Sequence, residues 1–175
     1  MGALVDELAG ARIGRTFNQY CRSRLLRARL AAYLAERRDA SMVLVGEAAG
    51  YRGARVSGIP FTSERQLTGC GPAEASATIV HRVLAELGIE DEVLLWNVVP
   101  THPHEPDRPY TNRRPTRGEV EASARFLEGV ARGRLVIAVG RLAEQATGAP
   151  YVRHPSHGGA AEFRAGLLRF RPGGR

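Results

Sequence analysis

Along the chain, short unbroken apolar runs alternate with longer stretches in which apolar residues return every three or four positions. Runs at 42–46 (Met-Val-Leu-Val-Gly), 93–98, 135–139 and 150–153 have the length and β-branched content of buried strands. Helical spacing marks 3–10 and 21–38. In the second of these Leu26, Leu30, Tyr33 and Leu34 make the stripe, and Arg22, Arg24, Arg27, Arg29, Arg37 and Arg38 fill much of the rest. A third helix is expected from Pro72, at its first turn, to Leu87, with Ile79, Val80, Val83, Leu84 and Leu87 inward and Gly88 as its stop. Thr116 and Glu119 form a capping-box pair opening a helix to 131, with Val120, Ala124, Leu127 and Ala131 expected to face inward. Shorter helices are expected at 141–147 and at 159–170, the last carrying Phe163, Leu167 and Phe170 on one side, followed by a frayed tail at 171–175.

Strand and helix thus alternate, which predicts an α/β fold with a mostly parallel sheet covered on both faces. Three segments then emerge at one edge, the carboxyl ends of the strands: Gly46-Glu47-Ala48-Ala49-Gly50, Trp96-Asn97-Val98-Val99-Pro100 and Arg153-His154-Pro155-Ser156-His157-Gly158-Gly159. Ligands bind at that edge in open α/β sheets. Two long loops, 47–62 and 99–116, belong to the same edge. Loops of that length in a compact domain are usually functional.

At 175 residues a single domain is expected, 1–175, with 1–40 as an N-terminal helical extension packed on it; a chain this size buries a full core. The net charge is +7, and all 25 basic residues are arginine. Such a surface favours polyanions, and guanidinium suits phosphate. Cys21 and Cys70 are the only cysteines, too few for a four-cysteine metal or iron–sulfur site and expected to be buried or incidental thiols. No run is long enough to span a membrane, and the start of the chain has no secretory signal. A cytoplasmic monomer is the expectation. Neither GxGxxG after a strand nor GxxxxGK[ST] occurs, which disfavours the usual dinucleotide and nucleoside-triphosphate sites. In His102-Pro103-His104-Glu105 alternate positions of an extended chain offer two ligands; without a third, a solvated loop is expected and no metal.

Taken in order, the segments resemble the uracil-DNA glycosylase superfamily. Gly46–Gly50 looks like its first motif in the GEAPG form, and Gly58-Ile59-Pro60-Phe61 like the GxPF element that follows. Asn97-Val98-Val99 with Asn112-Arg113-Arg114-Pro115-Thr116 resembles an N-V-V…N-R-x-P segment. Ala138-Val139-Gly140-Arg141 resembles the AxG turn, and His154-Pro155-Ser156 the HPS motif. The resemblance spans residues 42–170. It implies a three-layer α/β/α domain around a four-stranded parallel sheet of order 2-1-3-4. It also implies a cofactor-free DNA repair hydrolase that flips uracil out of the stack.

The resemblance gives the residues their roles. Phe61 stacks on the flipped base. The Asn97 amide, donor and acceptor together, matches O4 and N3–H of uracil. His154 donates to O2 as negative charge develops there. The backbone of residues 46–50, Gly46 and Ala48 included, lines the pocket, and Ser156 offers a hydroxyl and an N–H to a phosphate. Where the best-known branch carries an aspartate for water or cation, this chain has Ala48. Glu47 either activates the water or orients the loop. The cysteines of the cluster-bearing branch are absent. His157, followed by Gly158 and Gly159, stands where many relatives place a wedge; wedging, phosphate contact and base contact are open to it. Asn18 and Tyr20 are candidates for closing the pocket from the N-terminal side.

Overall fold

The computed structural model describes residues 2–170; the tail expected to fray lies outside them. Four parallel strands, β1 (Met42–Ala48), β2 (Val93–Val99), β3 (Leu135–Val139) and β4 (Tyr151–Val152), form one sheet in the order β2-β1-β3-β4. Eight helices complete the described chain: α1 (Gly2–Gly10), α2 (Arg24–Glu36), α3 (Ala54–Ser57), α4 (Glu64–Thr68), α5 (Ala75–Leu87), α6 (Arg117–Ala131), α7 (Arg141–Thr147) and α8 (Ala160–Leu168).

Alternate strand residues feed two separate cores, which makes the molecule three layers deep. Val43, Val45, Leu94, Trp96 and Val98 pack with α1, α2, α6 and α7 through Leu8, Leu30, Leu34, Phe126 and Leu142. Met42, Leu44, Val93, Leu95, Ile137 and Val139 pack on the other face with Val80, Val83, Leu84 and Leu87 of α5 and Phe163 and Leu167 of α8. The strands are apolar throughout because both faces are covered.

Two helices depart from the sequence expectation. α5 starts at Ala75, with Glu74 as an extended N-cap residue, and not at Pro72. The Pro72 carbonyl accepts from Arg65 N at 3.2 Å, which folds the segment before α5 back onto α4. In α6 the buried residues are Glu119, Ser123, Phe126 and Val130, one position earlier than the expected stripe. Glu119 causes the rotation. Its carboxylate is drawn inward by Arg113, at 2.6 and 2.8 Å, while also completing the capping box with Thr116 N at 2.9 Å. The long 47–62 loop also contains order not foreseen in the pattern: β1 continues to Ala48, and α3 forms inside it. Cys21 and Cys70 are both exposed thiols. No helix among the described residues is long and apolar enough to cross a membrane.

Candidate active site

The carboxyl edge of the sheet opens into a cleft of about 360 Å³. Its walls bring together Glu47 and Ala48 from the end of β1, Phe61, Asn97 from β2, Asn112 and Arg113 from the proline-rich 99–116 loop, and His154 and His157 from the turn after β4. Segments remote in sequence meet because β1 lies between β2 and β3, and β3 carries β4.

Gly46 and Asn97 are register partners on adjacent strands. Gly46 is not itself a wall residue; it makes room for two that are. A Cβ there would collide with the Phe61 ring, 2.6 Å from Cε2, and stand 2.9 Å from Asn97 Oδ1. Phe61 therefore lies directly over the strand. Its backbone is left-handed, with φ of 52°, a costly conformation for a bulky residue. A braced turn holds it: Ser57 Oγ accepts from Ile59 N at 3.0 Å and donates to the Thr62 carbonyl at 2.6 Å, and Thr62 Oγ1 lies 3.0 Å from His81 Nε2.

Asn97 is 3% exposed, yet its amide has no hydrogen-bond partner in the protein among the described residues. Buried polar groups are normally paired. An amide left open on a cleft wall keeps both its donor and its acceptor for a ligand.

His154 is oriented through its own turn. Ser156 N donates to His154 Nδ1 at 3.2 Å, and Ser156 Oγ lies 2.8 Å from that nitrogen and 3.0 Å from His157 Nδ1. With Nδ1 accepting, the proton of the neutral ring sits on Nε2. Burial, then the neighbouring Arg153 and His157, hold the imidazole below its ordinary pKa, so the neutral donor form prevails near pH 7. Ser156 stands behind His154 and not on the cleft wall, and its hydroxyl is engaged by the two histidines. The ring of His154 is 6.5 Å from that of Phe61, tilted by 35°.

Glu47 lines this cleft and a neighbouring one of about 290 Å³ with Arg114, Arg141 and Arg153. Burial raises its carboxyl pKa, and Arg114 partly offsets that. Ala48 contributes only a methyl group and backbone.

Other candidates turn out to be struts. His102 is fully buried and not part of a solvated loop. Its Nδ1–H donates to the Ala49 carbonyl at 2.8 Å, which pins the first motif, and its ring stacks on that of His104 at 5.8 Å. No three metal-ligating side chains cluster among the described residues. Asn18 does not close the pocket; its amide donates to the Leu8 and Ala11 carbonyls at 2.7 and 3.0 Å. Tyr20 is buried, and its hydroxyl donates to the Gly58 carbonyl at 2.9 Å, bracing the Phe61 turn from behind. Gln19 likewise donates to the Pro100 carbonyl at 2.8 Å. Asn112 Oδ1 accepts from Tyr51 N at 2.9 Å, joining the proline-rich loop to the first motif.

A wall residue the sequence reading did not single out is Glu74, just before α5. The expected start of that helix at Pro72 would have wound Glu74 into its first turn. Beyond the cleft lies a basic groove lined by Tyr51, Arg52, Arg55, Val56, Arg65, Pro72 and Ala73, with no acid among them. The Arg55 guanidinium lies 5.0, 5.4 and 5.9 Å from the ring centres of Tyr51, Phe17 and Tyr110. Phe17 and Tyr110 are exposed at this rim.

A model of the Uracil DNA glycosylase superfamily matches residues 34–167 of the chain. No curated protein matches it. Among solved structures, wild-type SMUG2 of Pedobacter heparinus is similar, with a TM-score of 0.62 at 11% identity, over 97% of this chain and 94% of that one. At that identity the likeness is one of fold.

Proposed function

From the premise that this chain belongs to the uracil DNA glycosylase superfamily, we propose that it is a monofunctional glycosylase hydrolysing the N-glycosidic bond of uracil in DNA. The observation that carries the reading is the Asn97 amide, buried and unpartnered on a cleft wall it shares with Phe61 and His154. A flipped uracil has one face for Phe61, an O4/N3–H edge for Asn97, and an O2 for His154.

Flipping costs a few kcal/mol of stacking, which the aromatic ring and the amide offset. When the C1′–N1 bond breaks, negative charge gathers on the base, much of it at O2. A neutral Nε2–H fixed by the Ser156 amide is a preorganised donor that strengthens as that charge grows. No metal or cofactor enters this scheme. Glu47 keeps two roles in it, activating the water or orienting the loop. DNA approaches over the basic groove, where arginines meet phosphates and the exposed Tyr110 offers a stacking face.

Oligonucleotides bearing a single uracil, in one strand or in a duplex, followed by alkali, test the reading. Cleavage at the uracil position is expected. Folded protein that leaves no abasic site at uracil, hypoxanthine or xanthine would sink it. Ala48 favours one rival, a catalytically weak module that binds damaged DNA on the same fold; tight binding without single-turnover product would select that rival.

A further inference from the structure

Position 48 is alanine, so the first motif brings no carboxylate of its own at that point of the cleft. Two glutamates nevertheless line the cleft, Glu47 and Glu74, and they are held differently. Glu47 shares the neighbouring cleft with Arg114, Arg141 and Arg153. Glu74 has no salt bridge and no side-chain hydrogen bond among the described residues. It occupies the N-cap position of α5, where a carboxylate ordinarily binds the open amides of the first turn, and it makes no such bond.

The chain instead clears space for this carboxylate against the first motif. A Cβ at Gly50 would lie 3.1 Å from Glu74 Cδ, and one at Gly53 would lie 2.7 Å from it, with one carboxylate oxygen closer still in each case, Oε1 at Gly50 and Oε2 at Gly53. Two glycines thus flank a carboxylate that spans from α5 to the loop after Ala48. Gly50 is itself a wall of the cleft. Leaving a carboxylate partly desolvated and unpaired is unfavourable. Such groups in clefts are where proton-transfer chemistry is found.

We propose that Glu74 is the general base of the hydrolysis, receiving the proton of the attacking water from the side that Ala48 leaves open. This rests on the glycosylase reading above. The water oxygen forms its bond to C1′ as the C1′–N1 bond breaks, and that bond's electron pair passes to the uracil. One water proton moves to a Glu74 carboxylate oxygen and is later released to solvent. The uracil anion, held at O2 by His154 Nε2–H, takes its proton from solvent. While the bond is breaking, the carboxylate also faces the cationic sugar, which stabilises it. Burial raises the Glu74 pKa, with no cation to oppose it, which makes this carboxylate a stronger base than a solvated one.

Single-turnover cleavage of a uracil oligonucleotide by wild type, Glu74→Gln, Glu74→Asp and Glu47→Gln tests the assignment. Binding is measured in parallel on an oligonucleotide carrying a cleavage-resistant 2′-fluoro-deoxyuridine. Glu74→Gln should slow cleavage about 10²–10⁴-fold while binding holds within about threefold. Glu74→Asp, which keeps the charge but withdraws it by one methylene, should recover part of that loss, and Glu47→Gln should slow cleavage less than Glu74→Gln. A Glu74→Gln rate close to wild type overturns the proposal, as does a loss of rate matched by an equal loss of binding. If Glu74→Gln does not fold, Glu74→Asp decides: a rate equal to wild type overturns the proposal and a slower one with binding retained supports it. A wild-type chain without product overturns the glycosylase reading itself, and the Glu74 role with it.

Discussion

Ser156 N donates to His154 Nδ1, and that bond leaves the proton of the neutral ring on Nε2, the nitrogen that faces the leaving group in the proposed reaction. His154→Ala should therefore slow single-turnover cleavage by about 10²–10³-fold with little effect on binding. Because the His154 pKa is lowered, the rate should not fall as pH rises through the ordinary histidine range. It should fall on the acid side, where protonating Nδ1 breaks the Ser156 bond. An unchanged single-turnover rate in His154→Ala removes the residue from this role.

Asn97 tests specificity separately from rate. Asn97→Asp replaces a donor and an acceptor with two acceptors, and a carboxylate repels O4. Uracil preference should vanish while the fold, read by thermal unfolding, is kept. Undiminished uracil cleavage would mean the base edge is read elsewhere.

Gly46→Ala probes the packing beneath the site. The added methyl meets the Phe61 ring and Asn97 Oδ1, and overpacking of this kind costs about 1–3 kcal/mol. Tm should drop by several degrees, and cleavage should fall about 10²-fold as Phe61 and Asn97 shift. A variant of wild-type stability and rate would show that Phe61 has room to move.

The Arg113–Glu119 clamp should govern acid stability. Left to burial alone the Glu119 carboxyl would rise, but Arg113 and the Thr116 and Arg15 amides bring it down to about 2. A pKa depressed in the folded state contributes stability above the unfolded value of about 4.3, and that stability is lost as pH falls toward 2. The contribution is on the order of 3 kcal/mol. Urea unfolding across that range should show the loss in wild type and a smaller one in Glu119→Gln, which should already be destabilised at pH 7. Parallel curves would assign the acid sensitivity to other groups.

The basic groove predicts salt dependence. Arg52→Gln combined with Arg65→Gln removes two of its cations, and each lost phosphate contact reduces the slope of log K against log salt by about 0.7 for single strands. The double variant should have a slope shallower by about 1.4. An unaltered slope would route the DNA over another face.

Several of these residues were visible in the sequence because their surroundings are local. A strand followed at once by Gly-Glu-Ala-Ala-Gly, or a strand ending in Trp-Asn-Val-Val, fixes which edge the polar residue reaches; the sheet order then followed from the family resemblance. Glu74 was hidden for the opposite reason. Its placement depends on the Pro72 carbonyl bonding to Arg65 N and on the space left at Gly50 and Gly53, none of which periodicity encodes. The rotation of α6 was hidden likewise, because a polar residue, Glu119, outcompetes apolar neighbours for the inward position once Arg113 reaches it. His102 misled because spacing along an extended loop says nothing about burial.

The braces from the N-terminal segment have a bearing on how the chain can be trimmed. The family likeness begins at residue 34, and a fragment cut there would carry every motif in the correct order. It would also lack the Tyr20 phenol under Gly58 and the Gln19 amide on Pro100. Both the turn that presents Phe61 and the loop that follows Asn97 would lose a fastening. The smallest piece that looks like the family is therefore shorter than the smallest piece able to hold its own aromatic wall in place.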